Sequence, residues 1–150
     1  MYLSAHFDLD EFITSETATR YGIDNTPNDD IVDNLRFLAS MMEEVRILLG
    51  NKPITIKSGY RCPKLNSAIG GSKTSQHMQG LAADFICPQY GTPYDIADEI
   101  SRSDLRFDQL IYEGANGSNP WIHMSVSDQP RGDRLTAYFN PTRYVKGIVK

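Results

Sequence analysis

The sequence predicts an α+β fold: a small, mainly antiparallel sheet with helices packed on one face. Three observations predict it. An apolar stripe with helical spacing runs through residues 29–49. Short β-branched or alternating stretches at 54–58, 81–87, 109–113 and 121–127 read as strands. The last two are joined by the loop 114–120, a connection that suits a hairpin.

Taken in order, Asp8 and Glu11 have capping-box spacing, so a short helix is expected around Phe12. A second short helix covers 14–21 and ends at Gly22. The turn 25–30 starts the long helix, in which Ile31, Leu35, Leu38, Met42, Val45 and Leu49 form the apolar stripe. Gly50 closes it. The strand 54–58 follows Pro53, and Gly59-Tyr60-Arg61 turns out of it. Pro63 opens a helix to 69. A polar loop, 70–76, leads to His77. Gly80 supplies a turn before the apolar strand 81–87, which Pro88 stops. Thr92-Pro93 starts a helix to about 103, with Ile96, Ala97 and Ile100 inward. After the hairpin, 135–139 reads as a last edge strand.

The chain has 150 residues, 40% hydrophobic and 23% charged, as expected of one globular domain spanning 1–150. Its net charge of −4 gives no basic footprint for nucleic acid. No apolar run approaches the roughly 20 residues that cross a bilayer. The N-terminus lacks the basic start and apolar centre of a signal peptide, so the chain is expected to be cytoplasmic as made. Cys62 and Cys87 each precede a proline and form no CxxC; they read as two buried or partly buried thiols. His6 has no local partner and reads as structural or exposed.

The chemistry concentrates in Ser75-Gln76-His77-Met78-Gln79-Gly80-Leu81-Ala82-Ala83-Asp84. A histidine on a loop and an aspartate on the next strand can point into one pocket. They offer two of the three protein ligands of a catalytic zinc. A metal-free buried Asp–His pair is the alternative. In the strand 121–127, Ile122, Met124 and Val126 share one face while Trp121, His123 and Ser125 share the other. His123 therefore points away from the apolar side and offers a third ligand. Two imidazoles and one carboxylate leave a single Zn2+ with positive charge and an open position. Glu113, at the end of the preceding strand, comes near His123 if the two strands pair.

These residues carry a family resemblance. Ser75-x-His77, Asp84, and the strand with Trp121-x-His123 resemble the zinc D-alanyl-D-alanine carboxypeptidase family, metallopeptidase family fifteen. Ser58-Gly59-Tyr60-Arg61, Leu65-Asn66 and Gly70-Gly71-Ser72 match it too, and the resemblance runs from about His6 to Ser127. It is closest to the small phage- and prophage-associated branch. It implies the hedgehog/DD-peptidase fold, with one zinc held by His77, Asp84 and His123 in a cleft on the face opposite the helices. It also implies hydrolysis of peptide bonds in peptidoglycan stem peptides, by a carboxypeptidase or an endolysin-type endopeptidase. Such a chain would act as a monomer on the wall after release or delivery, with neither nucleic acid nor membrane as partner.

Many members of the family place an acid three positions before the second histidine, but here that position is Pro120. The resemblance therefore points to Glu113 as general base, with Asp108 and Asp128 as weaker substitutes. Arg61 matches the family's arginine for substrate carboxylate or oxyanion. Ser75 is expected to bond substrate or orient His77, and Trp121 to pack the floor of the substrate site beside His123. The rival expectation is a non-catalytic zinc protein of the same fold, for example a structural component of a phage tail.

Overall fold

The structure, a computed structural model, describes all residues, Met1–Lys150. The chain forms five helices and six strands, in the order α1 (Leu9–Ile13), α2 (Glu16–Tyr21), α3 (Asp29–Leu48), β1 (Thr55–Ser58), α4 (Pro63–Ala68), β2 (Ala82–Ile86), α5 (Pro93–Ser101), β3 (Gln109–Glu113), β4 (Trp121–Ser125), β5 (Asp133–Tyr138) and β6 (Arg143–Lys146). A 3-10 turn, Gln76–Gln79, precedes β2.

Local chemistry sets most of the element ends. Asp8 and Glu11 form a capping box on α1. Ser15 caps α2, and Asn28 Oδ1 accepts from Ile31 N–H at 2.9 Å to start α3. The α3 stripe then buries Leu35, Leu38, Met42 and Val45 completely. Each such side chain contributes about 1.5–3 kcal/mol of transfer free energy. These residues join Ile96 and Ile100 of α5 and Phe85, Leu110, Ile122 and Met124 of the sheet in one apolar cluster. So α3 and α5 cover one face of the sheet. The alternation of β4 places Ile122 and Met124 there and His123 on the other face.

The sheet order is β1-β2-β4-β3-β5-β6. All neighbours are antiparallel except β3 and β5. The stretch expected as an edge strand, 135–139, is therefore interior: β5 lies between β3 and β6. The edge on that side is β6, which is mostly exposed and carries no apolar alternation. Nor is every helix on the covered face. Asn66 of α4 bonds Arg61 and the Ser72 carbonyl, and the 3-10 turn carries His77, so both frame the opposite, open face.

Gly59 joins the first turn of the fold to that open face. A Cβ there would lie 2.5 Å from the Phe12 carbonyl oxygen and 2.7 Å from its Cα. Backbone, not a movable side chain, blocks the space. Gly59→Ala is expected to destabilise the protein by about 1–3 kcal/mol through overpacking. A lowered urea midpoint with unchanged slope would show it; an unchanged midpoint would mean that α1 simply moves aside.

Candidate metal centre

The sheet register assembles the site. Asp84 of β2 pairs with His123 of β4, and His123 pairs with Ile111 of β3. Directly paired residues share a face, so Asp84 and His123 stand side by side on the open face. Two pairs further along, and so on the same face, Trp121 pairs with Glu113. Across β3, Glu113 pairs with Ala137, which pairs with Tyr144 of β6. His77 arrives from the 3-10 turn. Ser75 caps that turn by accepting the His77 backbone N–H at 3.2 Å. Gly80, at φ +72°, ends it in the left-handed conformation that glycine adopts freely.

His77, Asp84 and His123 are all buried, and one ligating atom from each lies within 4.8 Å of the others. Asp84 Oδ1 is 3.2 Å from His77 Nε2 and 3.0 Å from His123 Nδ1. Donors on a tetrahedral zinc, with bonds near 2.0–2.1 Å, stand about 3.3 Å apart. The hydrogen-bond inventory also fits a cation. His77 Nδ1–H donates to the Gly59 carbonyl at 2.7 Å, which leaves Nε2 of a neutral ring as a lone pair facing a carboxylate oxygen. Two acceptors at that distance need positive charge between them or a proton on the ring. A metal ion supplies that charge, and the backbone carbonyl fixes the ring as ligand histidines require.

The other carboxylate oxygen, Asp84 Oδ2, accepts from Arg61 Nη2 at 3.1 Å. Burial opposes charge on Asp84, but His77 and His123 outweigh it and hold the carboxyl well below the usual carboxylate range. Glu113 shows the opposite balance. Its Oε1 is 3.9 Å from His123 Nδ1. Burial, then the charge of Asp84, push its carboxyl up to about 7, with His123 and Arg61 pulling the other way. An acid poised near neutrality in a cleft is suited to moving protons.

The structure thus brings His77, Asp84, His123, Glu113, Arg61, Ser75 and Trp121 to one cleft of about 680 Å³. Ser75 holds the backbone of His77 rather than its ring. Arg61 bonds Asp84, Ser58 Oγ at 3.0 Å and Asn66 Oδ1 at 3.5 Å. Trp121 stacks on Phe139 with centroids 5.9 Å apart. The two substitute acids are elsewhere engaged. Both oxygens of Asp108 bond Arg131, and Asp128 borders a separate hollow with Asn34 and Phe37. His6 pairs with Glu43 at 2.7 Å, and Cys62 and Cys87 are free thiols.

Further lining residues, Gln109, Ile111, Arg131 and Tyr144, were not apparent in the sequence. Gln109 and Ile111 share a face with Glu113 by strand alternation, so that signal was present. Arg131 and Tyr144 reach the cleft through the β4–β5 loop and β6, and nothing local marks them.

A mixed sheet with α3 and α5 on one face, and two imidazoles, a carboxylate and a nearby glutamate on the other, has the arrangement of a candidate site for metal-dependent hydrolysis. Sequence comparison gives the family: the profile described as Peptidase M15 matches residues 5–125, and the chain belongs to that family. Over 87 residues it is 31% identical to the zinc D-Ala-D-Ala carboxypeptidase of Streptomyces albus G. That match covers 58% of this chain and 33% of the relative, so the chain spans about a third of the length of the curated protein it matches. No helix is long and apolar enough to cross a membrane.

Proposed function

We propose that the chain is a zinc-dependent peptidase that hydrolyses peptide bonds in the stem peptides of bacterial peptidoglycan. His77, Asp84 and His123 hold one zinc ion. The observation that carries the reading is Glu113, a partly buried acid 3.9 Å from His123 and in the same cleft as the triad. A purely structural metal site has no use for such a neighbour. The Streptomyces relative, a zinc D-Ala-D-Ala carboxypeptidase, supports zinc as the metal and a peptide ending in D-Ala-D-Ala as the kind of substrate. The donor set of two nitrogens and one oxygen agrees with zinc.

When bound, the ion supplies Lewis acidity, polarising the substrate carbonyl and lowering the pKa of water. The chain's residues do the rest. Glu113 takes a proton from the attacking water and returns it to the leaving nitrogen. Arg61 fixes Asp84 through Oδ2 and places positive charge beside the carbonyl oxygen as it becomes anionic. Ser75 and Gly59 hold His77 in place, and Trp121 with Phe139 forms an apolar wall for substrate.

Zinc-loaded protein incubated with purified peptidoglycan, followed by mass spectrometry of the released fragments, tests this directly. Loss of one terminal D-alanine marks a carboxypeptidase; shortened stems or free dipeptides mark an endopeptidase. Release of neither, from protein shown to hold zinc, would sink the proposal.

A further inference from the structure

We infer that Arg131 determines substrate selection in this cleft by binding a carboxylate of the peptide. The inference rests on the peptidase reading above and adds a recognition residue to it. Two cations line the cleft, Arg61 and Arg131. They are held very differently.

Every nitrogen of the Arg61 guanidinium already has a protein partner: Nε meets Ser58, Nη1 meets Asn66 and Nη2 meets Asp84. Its side chain is only 16% exposed. Arg61 is therefore held against the metal ligand, where its charge faces the reacting carbonyl, and is not free to grip a peptide carboxylate. Arg131 uses one edge of its fork. Its Nε and Nη2 donate to Asp108 Oδ1 and Oδ2 at 3.0 and 2.8 Å, and its backbone N–H donates to Oδ1 at 3.1 Å. Nη1 has no protein partner, and the side chain is 58% exposed. A guanidinium carries five N–H donors, so the end formed by Nη1 and Nη2 is free to grip a second carboxylate through two parallel bonds.

The mount is rigid. Asp108 is buried and also accepts from Gln76 Nε2 at 3.0 Å, next to His77. The Asp108 backbone N–H donates to Ser125 O, and its carbonyl accepts from Asp133 N–H. One carboxylate thus ties together the 3-10 turn, the start of β3 and the β4–β5 loop. An arginine fixed before substrate arrives loses little conformational entropy on binding.

Register gives its place. Asp108 lies three residues before Ile111, the partner of His123. That is about 10 Å along a strand, the span of two or three extended residues. Glu113, Trp121 and Tyr144 lie at the opposite end of the cleft. A peptide crossing the metal centre along the strands therefore meets Arg131 a short way from the bond that is cut. Its carboxylate is either the terminal one or one internal to the stem.

The test uses full-length zinc-loaded protein and stem peptides in three forms: all carboxylates free, the terminal carboxylate amidated, or an internal carboxylate amidated. Wild type should lose about tenfold or more in kcat/KM on one of the amidated forms, chiefly through KM. Which form it is identifies the carboxylate. In Arg131→Gln the ratio between that form and the free acid should fall below about twofold, with Arg131→Lys between the two because an ammonium cannot grip bidentately. Retention of the full ratio in Arg131→Gln, in protein with a wild-type melting profile, overturns the inference. So does wild type that cleaves all three forms equally. Wild type that cleaves none of them brings down the peptidase reading, and the role of Arg131 with it.

Discussion

Glu113→Gln is expected to lower kcat by about 10²–10⁴-fold while one equivalent of zinc still binds. The substitution preserves size and hydrogen-bonding shape but removes the carboxylate beside the triad that can accept a proton and return it. Desolvation and the neighbouring Asp84 charge push the partly buried wild-type carboxyl up to about 7, which suits it to accept and release a proton near neutral pH. An amide has no such option. Because Glu113 touches the metal ligands only through His123, at 3.9 Å, the zinc stoichiometry of the variant should match wild type. Metal analysis alongside single-substrate kinetics would check both halves. Full activity in the variant would assign the proton transfer to another group. Loss of zinc would make Glu113 a support for the metal site rather than a base.

Asp84→Asn should be at least as damaging, for a different reason. Asp84 is the hub of the cluster: Oδ1 meets both histidines and Oδ2 meets Arg61. The amide is a poor ligand, and the ion loses the one charge-neutralising donor in its set. Hydrolysis should fall to background and tight zinc binding should disappear. Thermal melting gives an independent readout. Zinc at a thousandfold excess over its Kd stabilises a folded protein that binds it by about 4 kcal/mol. Wild type should show that upward shift and Asp84→Asn should not. An undiminished shift in the variant would place the metal elsewhere.

Much of this site could be read from the amino-acid order because it rests on two short-range regularities. Strand alternation put His123 opposite Ile122 and Met124, and a seven-residue connection brought Glu113 back beside it. The long helix was visible for the same kind of reason, as a stripe at intervals of three and four. What stayed hidden depends on contacts distant in sequence. The parallel pairing of β5 with β3 and the edge strand β6 leave no local trace, since β6 is exposed and weakly patterned. Tyr144 enters the cleft only through that pairing. Arg131 faces the cleft because Asp108, 23 residues earlier, holds it there. His6 likewise finds Glu43 37 residues away. Spacing rules describe neighbours along a helix or strand; they say nothing of which loops a fold folds together.

The most direct test of the whole account is a zinc titration of metal-free protein, scored by hydrolysis of peptidoglycan stem peptide. With His77, Asp84 and His123 sharing a single ion, activity should climb from background and break sharply at one zinc per chain. Hydrolysis that proceeds without metal, or that never appears after one equivalent has bound, would contradict it.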